Sequence, residues 1–168
     1  NKLSVSPITT HINIKDISKK LKKELIINKV KTIEFWYQKK FKKKAKIAIL
    51  GLNPHNAELR ETSEERKIII PAINKLKKLG ININGPLVSD TIFINDYKKF
   101  DVIVGMFHDQ VLAPFKTLFK FNAINITLGL KYLRVSPDHG VAKNLIGKNI
   151  ADTTSLLQCI NFINKFGK

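Results

Sequence analysis

The sequence holds a single cysteine, Cys159, which excludes a disulfide framework and a thiolate metal cluster. One isolated thiol fits a reducing compartment, so a cytoplasmic location is expected. No stretch approaches the ~20 apolar residues of a membrane span. The opening Asn1 to Thr10 lacks the charged start and apolar block of a signal peptide. It also lacks an initiating methionine, and "NKLSVSPITTH" reads as a strand already under way, as in a piece of a longer protein. Arginine is scarce: Arg60, Arg66 and Arg134 are the only ones.

The formal net charge is +17, carried almost wholly by lysine. A basic nucleic-acid-binding domain is one reading of such a charge. The shortage of arginine argues against it, because the planar guanidinium is the better reader of phosphates and base edges. Lysine, asparagine and isoleucine are over-used together along the whole chain, a pattern of coding bias rather than of one selected patch. The densest run, "KKFKKKAK" from Lys39 to Lys46, ends a predicted helix, where cations suit the helix dipole. No nucleic-acid partner and no membrane partner are expected.

At 168 residues the chain is long enough for a real core, and strand and helix signals alternate along it. "LSVSPITT" reads as a strand. Asp16 is placed to cap a helix carrying Ile17, Leu21, Leu25, Val30, Ile33 and Trp36 at helical spacing, with a break near Lys23. "KIAIL" is a buried strand. Ser63 is placed to cap a helix lined by Ile69, Ile73, Leu76 and Leu79 and stopped by Gly80. "ININGPL" reads as a strand running into a Gly-Pro turn, and "SDTIFINDY" as a short helix or turn. "FDVIVGMF" is a strand and "HDQVLAPFKTLFK" a helix. "INITLGL" and "KYLRVS" are two strand-like pieces, a short helix follows Gly140, and "TSLLQCINFINKF" closes the chain. Alternation of this kind predicts an α/β protein with a largely parallel sheet flanked by helices.

Of four histidines, three follow strands: His11, His55 in "GLNPHN", and His108. The carboxyl edge of an open α/β sheet is where ligands bind. A lone histidine there is most often a hydrogen-bonded structural residue. Three at equivalent ends point instead to a divalent metal such as zinc, held by neutral imidazoles with a position left open. Asp109 either orients His108 from behind or caps the following helix. Lys116 lies about two turns beyond His108 and either faces the same cleft or is simply solvated. Asn125, reading as the start of a strand, and Arg134, reading as the end of another, suit an anionic substrate group. Asp138 and His139 in "SPDHG" precede a helix start, which suits phosphate, although a tight turn is the plainer reading. Asp90 is either a ligand or catalytic carboxylate or a helix cap.

The motifs "TTHINIKDI", "GLNPHN", "INGPLVSDTIF", "GMFHDQVLAPFK", "INITLGLKYLRVSPDHG" and "ADTTSL" occur in the order and spacing of the 4-hydroxythreonine-4-phosphate dehydrogenases of vitamin B6 (pyridoxine phosphate) synthesis. The chain resembles the carboxyl-terminal half of that family along essentially its whole length. The resemblance implies an isocitrate/isopropylmalate dehydrogenase-like fold. Residues 1–112 would form a metal-binding and dimerisation domain. Residues 113–168 would return to a first, cofactor and substrate domain whose amino-terminal part is absent.

The resemblance further implies NAD-dependent oxidation and decarboxylation of 4-phosphooxy-L-threonine to 3-amino-2-oxopropyl phosphate. The divalent metal (Zn, Mg or Co) would be held by His11, His55 and His108 at the interface of a homodimer. Lys116, Asn125 and Arg134 would bind substrate, Asp90 and Lys116 would be catalytic, and Asp138 and His139 would lie near NAD. A sister activity on threonate or erythronate 4-phosphate would use the same metal and phosphate sites. The sequence departs from the family in "NAELRETSEER" after His55, which contains no glycine where members carry a glycine-rich loop.

Overall fold

The computed structural model describes residues 3–167. The chain divides into two compact units, Asn1–Phe115 and Lys116–Lys168.

The first unit is built on four parallel strands: β1 (Ser4–Thr9), β2 (Ile47–Leu50), β3 (Ile83–Leu87) and β4 (Val102–Phe107). Their order across the sheet is β1-β4-β2-β3. The two central strands are apolar throughout because helices cover both faces of a parallel sheet. All four residues of β2 are fully buried, as are Ile103, Val104 and Met106 of β4. Each such aliphatic side chain contributes roughly 1.5–3 kcal/mol on burial. The outer strands β1 and β3 carry Pro7 and Pro86, and edge positions are where a strand tolerates a missing N–H.

Helices α1 (Ile17–Lys20), α2 (Lys23–Phe41) and α3 (Ile70–Lys78) connect β1 to β2 and β2 to β3. The break between α1 and α2 has a packing cause. Leu21 and Ile26, both fully buried, are five residues apart, which one continuous helix would turn to different faces. Leu21 is extended instead (φ −70°, ψ 120°), so Ile17, Leu21, Ile26, Val30 and Ile33 all face inward. The other face of β2, Ala48 and Leu50, packs with Ile92, Phe93, Ile103 and Val111. These come from α4 (Ser89–Ile92), β4 and α5 (His108–Phe119) and their flanks.

Several local expectations are corrected. Asp16 makes no side-chain capping bond: a 3-10 turn precedes it and its backbone is already helical (φ −97°, ψ −7°). Ile26, not Leu25, is the fully buried residue of the first turn of α2, and Leu79 is half exposed at the end of α3. The Gly85-Pro86 pair lies inside β3 rather than in a turn after it. Ser63 does cap its helix, its Oγ accepting from Arg66 N at 3.3 Å, and Gly80 closes α3 at φ +76°.

The lysine run at the end of α2 has internal partners. Lys42 ends the helix in the left-handed conformation (φ 56°). Lys44 Nζ donates to Gly80 O at 3.3 Å, and Lys43 Nζ to Asp101 Oδ1 at 2.8 Å. Asp101 Oδ2 also accepts from Lys46 N at 2.9 Å, while buried Glu34 accepts from Ala45 N at 3.1 Å. Two carboxylates thus fix the entry into β2.

The second unit contains an antiparallel pair, β5 (Ile124–Thr127) and β6 (Arg134–Pro137), and helix α6 (Thr154–Phe166) packed on it. Arg134 opens β6 rather than closing a strand, because it pairs with Thr127 at the mouth of the hairpin. Ser155 Oγ donates to Ala123 O at 2.5 Å and accepts from Asp138 N at 2.9 Å, tying α6 to one end of each strand. Cys159 is buried against the hairpin side of α6, and burial raises its thiol pKa. Among the described residues no helix is long and apolar enough to cross a membrane.

Burial works against the Asp101 carboxylate, but the bonds from Lys43, Lys46 N and Tyr37 together outweigh it and lower its pKa. A group depressed in the folded state stabilises fully above its unfolded pKa and loses that contribution as pH falls through the folded value. Asp101→Asn is therefore expected to lower stability at pH 7 and to flatten the acid limb below pH ~4. Urea midpoints measured against pH check this; parallel acid limbs for the two proteins would contradict it.

Candidate metal and substrate site

A parallel sheet sends every strand exit to one edge. In spatial order β1-β4-β2-β3, the exits here lead to His11, His108, His55 and Asp90. The register pairs Thr9 with Phe107, so the residues just past each strand are neighbours. Thr9 Oγ1 donates to Met106 O at 2.7 Å and locks these two exits together. The His11 and His108 rings consequently approach to 5.8 Å between centroids, at an interplanar angle of 51°. His108 Nδ1 lies 2.7 Å from Asp109 Oδ1. A proton on Nδ1 directed at that carboxylate leaves the Nε2 lone pair open to a ligand.

His55 stands apart from that pair, with Nε2 3.9 Å from Asp90 Oδ2. This is a charge-range approach rather than a hydrogen bond. Among the described residues no three His, Cys, Asp or Glu side chains gather into a ready-made metal group. One chain therefore offers two converged imidazoles, and separately an imidazole beside a carboxylate. Neutral imidazole with carboxylate is a donor set that fits a divalent first-row ion.

The glycine-free stretch after His55 takes a conformation that glycine would have eased. His55, Asn56, Ala57, Glu58 and Leu59 all have φ between 49° and 57°. A run of left-handed L-residues costs roughly 1–2 kcal/mol per residue. Several contacts offset it. Asn56 N donates to Asn53 O at 3.1 Å, Arg60 N to Ala57 O at 3.0 Å, and Arg60 Nε to the same oxygen at 3.2 Å. Ala57 is buried, and Asn56 Nδ2 donates to Pro86 O at 3.1 Å.

The strongest anchor of this turn is Glu65, a fully buried residue in the π-helical turn Glu65–Ile69 ahead of α3. Its Oε1 accepts from Leu52 N at 2.7 Å and Asn53 N at 2.8 Å, and its Oε2 from Asn53 Nδ2 at 3.0 Å. Glu64 accepts from Asn53 Nδ2 at 2.9 Å and from the Ser18 hydroxyl. The Ser18 bond foremost, with help from Asn53 and against the cost of burial, lowers the Glu64 pKa. Sequence reasoning passed over Glu65, Asn53 and Ser18. A pair of acidic residues ahead of an apolar helix looks like ordinary first-turn charge, and only tertiary contact shows where the second one points.

In the second unit Lys116 Nζ donates to Asp138 O at 2.6 Å and pairs with Asp138 Oδ2 at 3.1 Å. Arg134 Nη1 donates across the hairpin to Thr127 Oγ1 at 2.7 Å. Asn125 is exposed on β5, opposite Ser136. His139 is exposed, with Nδ1 3.1 Å from Gly140 O and its ring edge-on to Phe121 at 6.0 Å. The structure thus brings Lys116 to Asp138, and leaves Asn125 and Arg134 on the hairpin with solvent-facing side chains.

Residues 1–163 match the family described as "Pyridoxal phosphate biosynthetic protein PdxA". The chain belongs to the PdxA family. A 4-hydroxythreonine-4-phosphate dehydrogenase of Sulfurihydrogenibium sp. (strain YO3AOP1) is 49% identical over 161 residues, covering 95% of this chain and 50% of the relative. A protein of Oceanobacillus iheyensis, provisionally named a D-threonate 4-phosphate dehydrogenase, is 37% identical over 163 residues, covering 95% of this chain and 49% of its own length. The crystal structure of a 4-hydroxythreonine-4-phosphate dehydrogenase from Klebsiella pneumoniae matches with a TM-score of 0.84 at 31% identity, over 96% of this chain and 50% of that one. The fold is thus the PdxA α/β fold in part, and the chain spans about half the length of the curated relatives it matches.

Glu65 yields the test of how the turn that carries His55 is held. Glu65→Ala leaves the Leu52 and Asn53 amides without their acceptor and the Asn53 side chain with Glu64 alone. It is expected to lower stability by about 2–4 kcal/mol, with Glu65→Gln intermediate. Urea unfolding checks it; a loss below ~0.5 kcal/mol for the alanine variant would show that Glu65 does not anchor the turn.

Proposed function

We propose that this chain is the carboxyl-terminal, metal- and substrate-binding half of a 4-hydroxythreonine-4-phosphate dehydrogenase acting in vitamin B6 synthesis. The observation that carries the reading is the row of His11, His108, His55 and Asp90 along one sheet edge in a PdxA-family chain. The reaction is NAD-dependent oxidation of the C3 hydroxyl of 4-phosphooxy-L-threonine, followed by loss of carbon dioxide to give 3-amino-2-oxopropyl phosphate.

His11 and His108 from one subunit, with His55 from its partner in a homodimer, are the ligands of a divalent ion. That the three histidines do not gather into one group among the described residues of a single chain supports this sharing. When bound, the ion would supply Lewis acidity for oxidation of the substrate hydroxyl and for the decarboxylation, and NAD would supply the hydride acceptor. Asp109 holds the His108 ring in the tautomer that ligates. Asp90, beside His55, takes up the proton of the substrate hydroxyl. Lys116, Asn125 and Arg134 bind the charged ends of the substrate. Lys116 is held by Asp138 until substrate arrives and is the proton donor to the carbon that loses carbon dioxide. Asp138 and His139 lie toward the cofactor.

The runner-up is a dehydrogenase of D-threonate 4-phosphate, favoured by the name of the Oceanobacillus iheyensis relative. That substrate carries a hydroxyl where 4-phosphooxy-L-threonine carries an amino group, so the phosphate and metal contacts would be shared.

The test is NADH formation. The 168-residue chain alone is expected to give none with 4-phosphooxy-L-threonine, because the other half of the fold supplies the rest of the pocket. Joined to the amino-terminal half of a relative, it should turn over. His55→Ala in the joined enzyme should cost on the order of 100-fold or more in kcat/KM. Faster turnover of D-threonate 4-phosphate would select the runner-up. Undiminished activity of His55→Ala would remove the metal assignment.

A further inference from the structure

His108 opens α5 after β4, and His55 follows β2 at the start of the left-handed turn. The two strands pair side by side, but register alone does not fix where their exits lead. One side chain bridges them. Gln110 Oε1 accepts from Met106 N at 2.6 Å, and its Nε2 donates to Gly51 O at 2.6 Å. Gly105 makes room for the bridge, and Gly51 makes room for Asn56 beside it. A Cβ at Gly105 would lie 2.9 Å from Gln110 Oε1 and 2.5 Å from Val111 Cγ1. A Cβ at Gly51 would lie 2.1 Å from Asn56 Oδ1.

Asn56 is the residue after His55, and its Oδ1 is buried without a hydrogen-bond partner among the described residues. It is held against Gly51 by packing and by its bond to Pro86 O. A continuous line of contact therefore runs from the His108 turn through Gln110 and Gly51 to Asn56 and His55. A helix-capping role explains only the first of the two Gln110 bonds, since a glutamine in the first turn often reaches back to an amide just before its helix. It does not explain the bond to Gly51, 59 positions away in sequence.

We propose that Gln110 is a positioning residue that sets the spacing between the His108 and His55 turns. This rests on the reading of those histidines as metal ligands. Outer partners of this kind typically change metal affinity 10–100-fold when removed.

The test uses the 168-residue chain labelled with 15N at histidine, first without metal. Gln110→Glu keeps an acceptor for Met106 N but, ionised, cannot donate to Gly51 O. Gln110→Met removes both bonds. Each is expected to displace or broaden the His55 ring resonances by more than a linewidth, although His55 lies on a different loop. Ile33→Val, a core change in α2 and in neither the Gln110 bridge nor the Glu65 turn, should lower the Tm without moving those resonances. Cobalt(II) titration should then show at least about a tenfold weaker affinity for Gln110→Glu than for the parent.

A His55 ring unmoved in both variants, with only His108 affected, would make Gln110 a local cap and overturn the proposal. Parental cobalt(II) affinity in Gln110→Glu would overturn it as well. A parent chain that takes up no cobalt(II) would count against the metal reading, while the ring resonances still decide whether Gln110 couples the two turns.

Discussion

Glu65 is the constraint on which the site depends. A carboxylate with no solvent exposure must have its oxygens satisfied inside the protein, and the partners here are the Leu52 and Asn53 amides just past β2 and the Asn53 side chain. This fixes the chain at Leu52–Asn53, just before five residues that would not hold a left-handed conformation unaided. Gly51, immediately upstream, is gripped from the other side by Gln110. The β2 exit is thus held by the π-helical turn ahead of α3 and by α5, and His55 is presented from a fixed base rather than from a loose loop. Asn56, with one buried oxygen unpaired, shows that the arrangement is held by packing as well as by hydrogen bonds.

The sheet supplies the remaining geometry. Because β1 and β4 are neighbours, His11 and His108 meet; because β2 lies on the other side of β4, His55 lies to that side, next to the exit of β3 and Asp90. Strand order brings chemistry-bearing residues distant in sequence to one edge. In the second unit Lys116 already has an anionic partner in Asp138. Any anion that bound Lys116 would have to displace that partner.

Much of this was legible in the sequence because periodicity and punctuation were strong. The apolar runs of β2 and β4, the helix over Thr154–Phe166 and the placement of three histidines after strands all follow from pattern. The strand order does not, since nothing local says that β4 inserts between β1 and β2. The left-handed turn was also out of reach. His55 and Asn56 tolerate positive φ singly, but nothing local predicts five such residues in a row, and the contacts that offset the cost come from Glu65, Pro86 and Arg60, up to 30 positions away. Asp16 and Leu79 misled for a simpler reason: capping and helical spacing are local preferences, and the preceding 3-10 turn and the helix end overrode them.

Zinc-edge anomalous diffraction from crystals of the chain soaked in zinc tests the central claim most directly. The account predicts a peak at about 2.0–2.1 Å from a ring nitrogen of both His11 and His108, with His55 of a neighbouring subunit completing the set. Zinc found only at His139, or at surface carboxylates with the His11–His108 pair vacant, would contradict it.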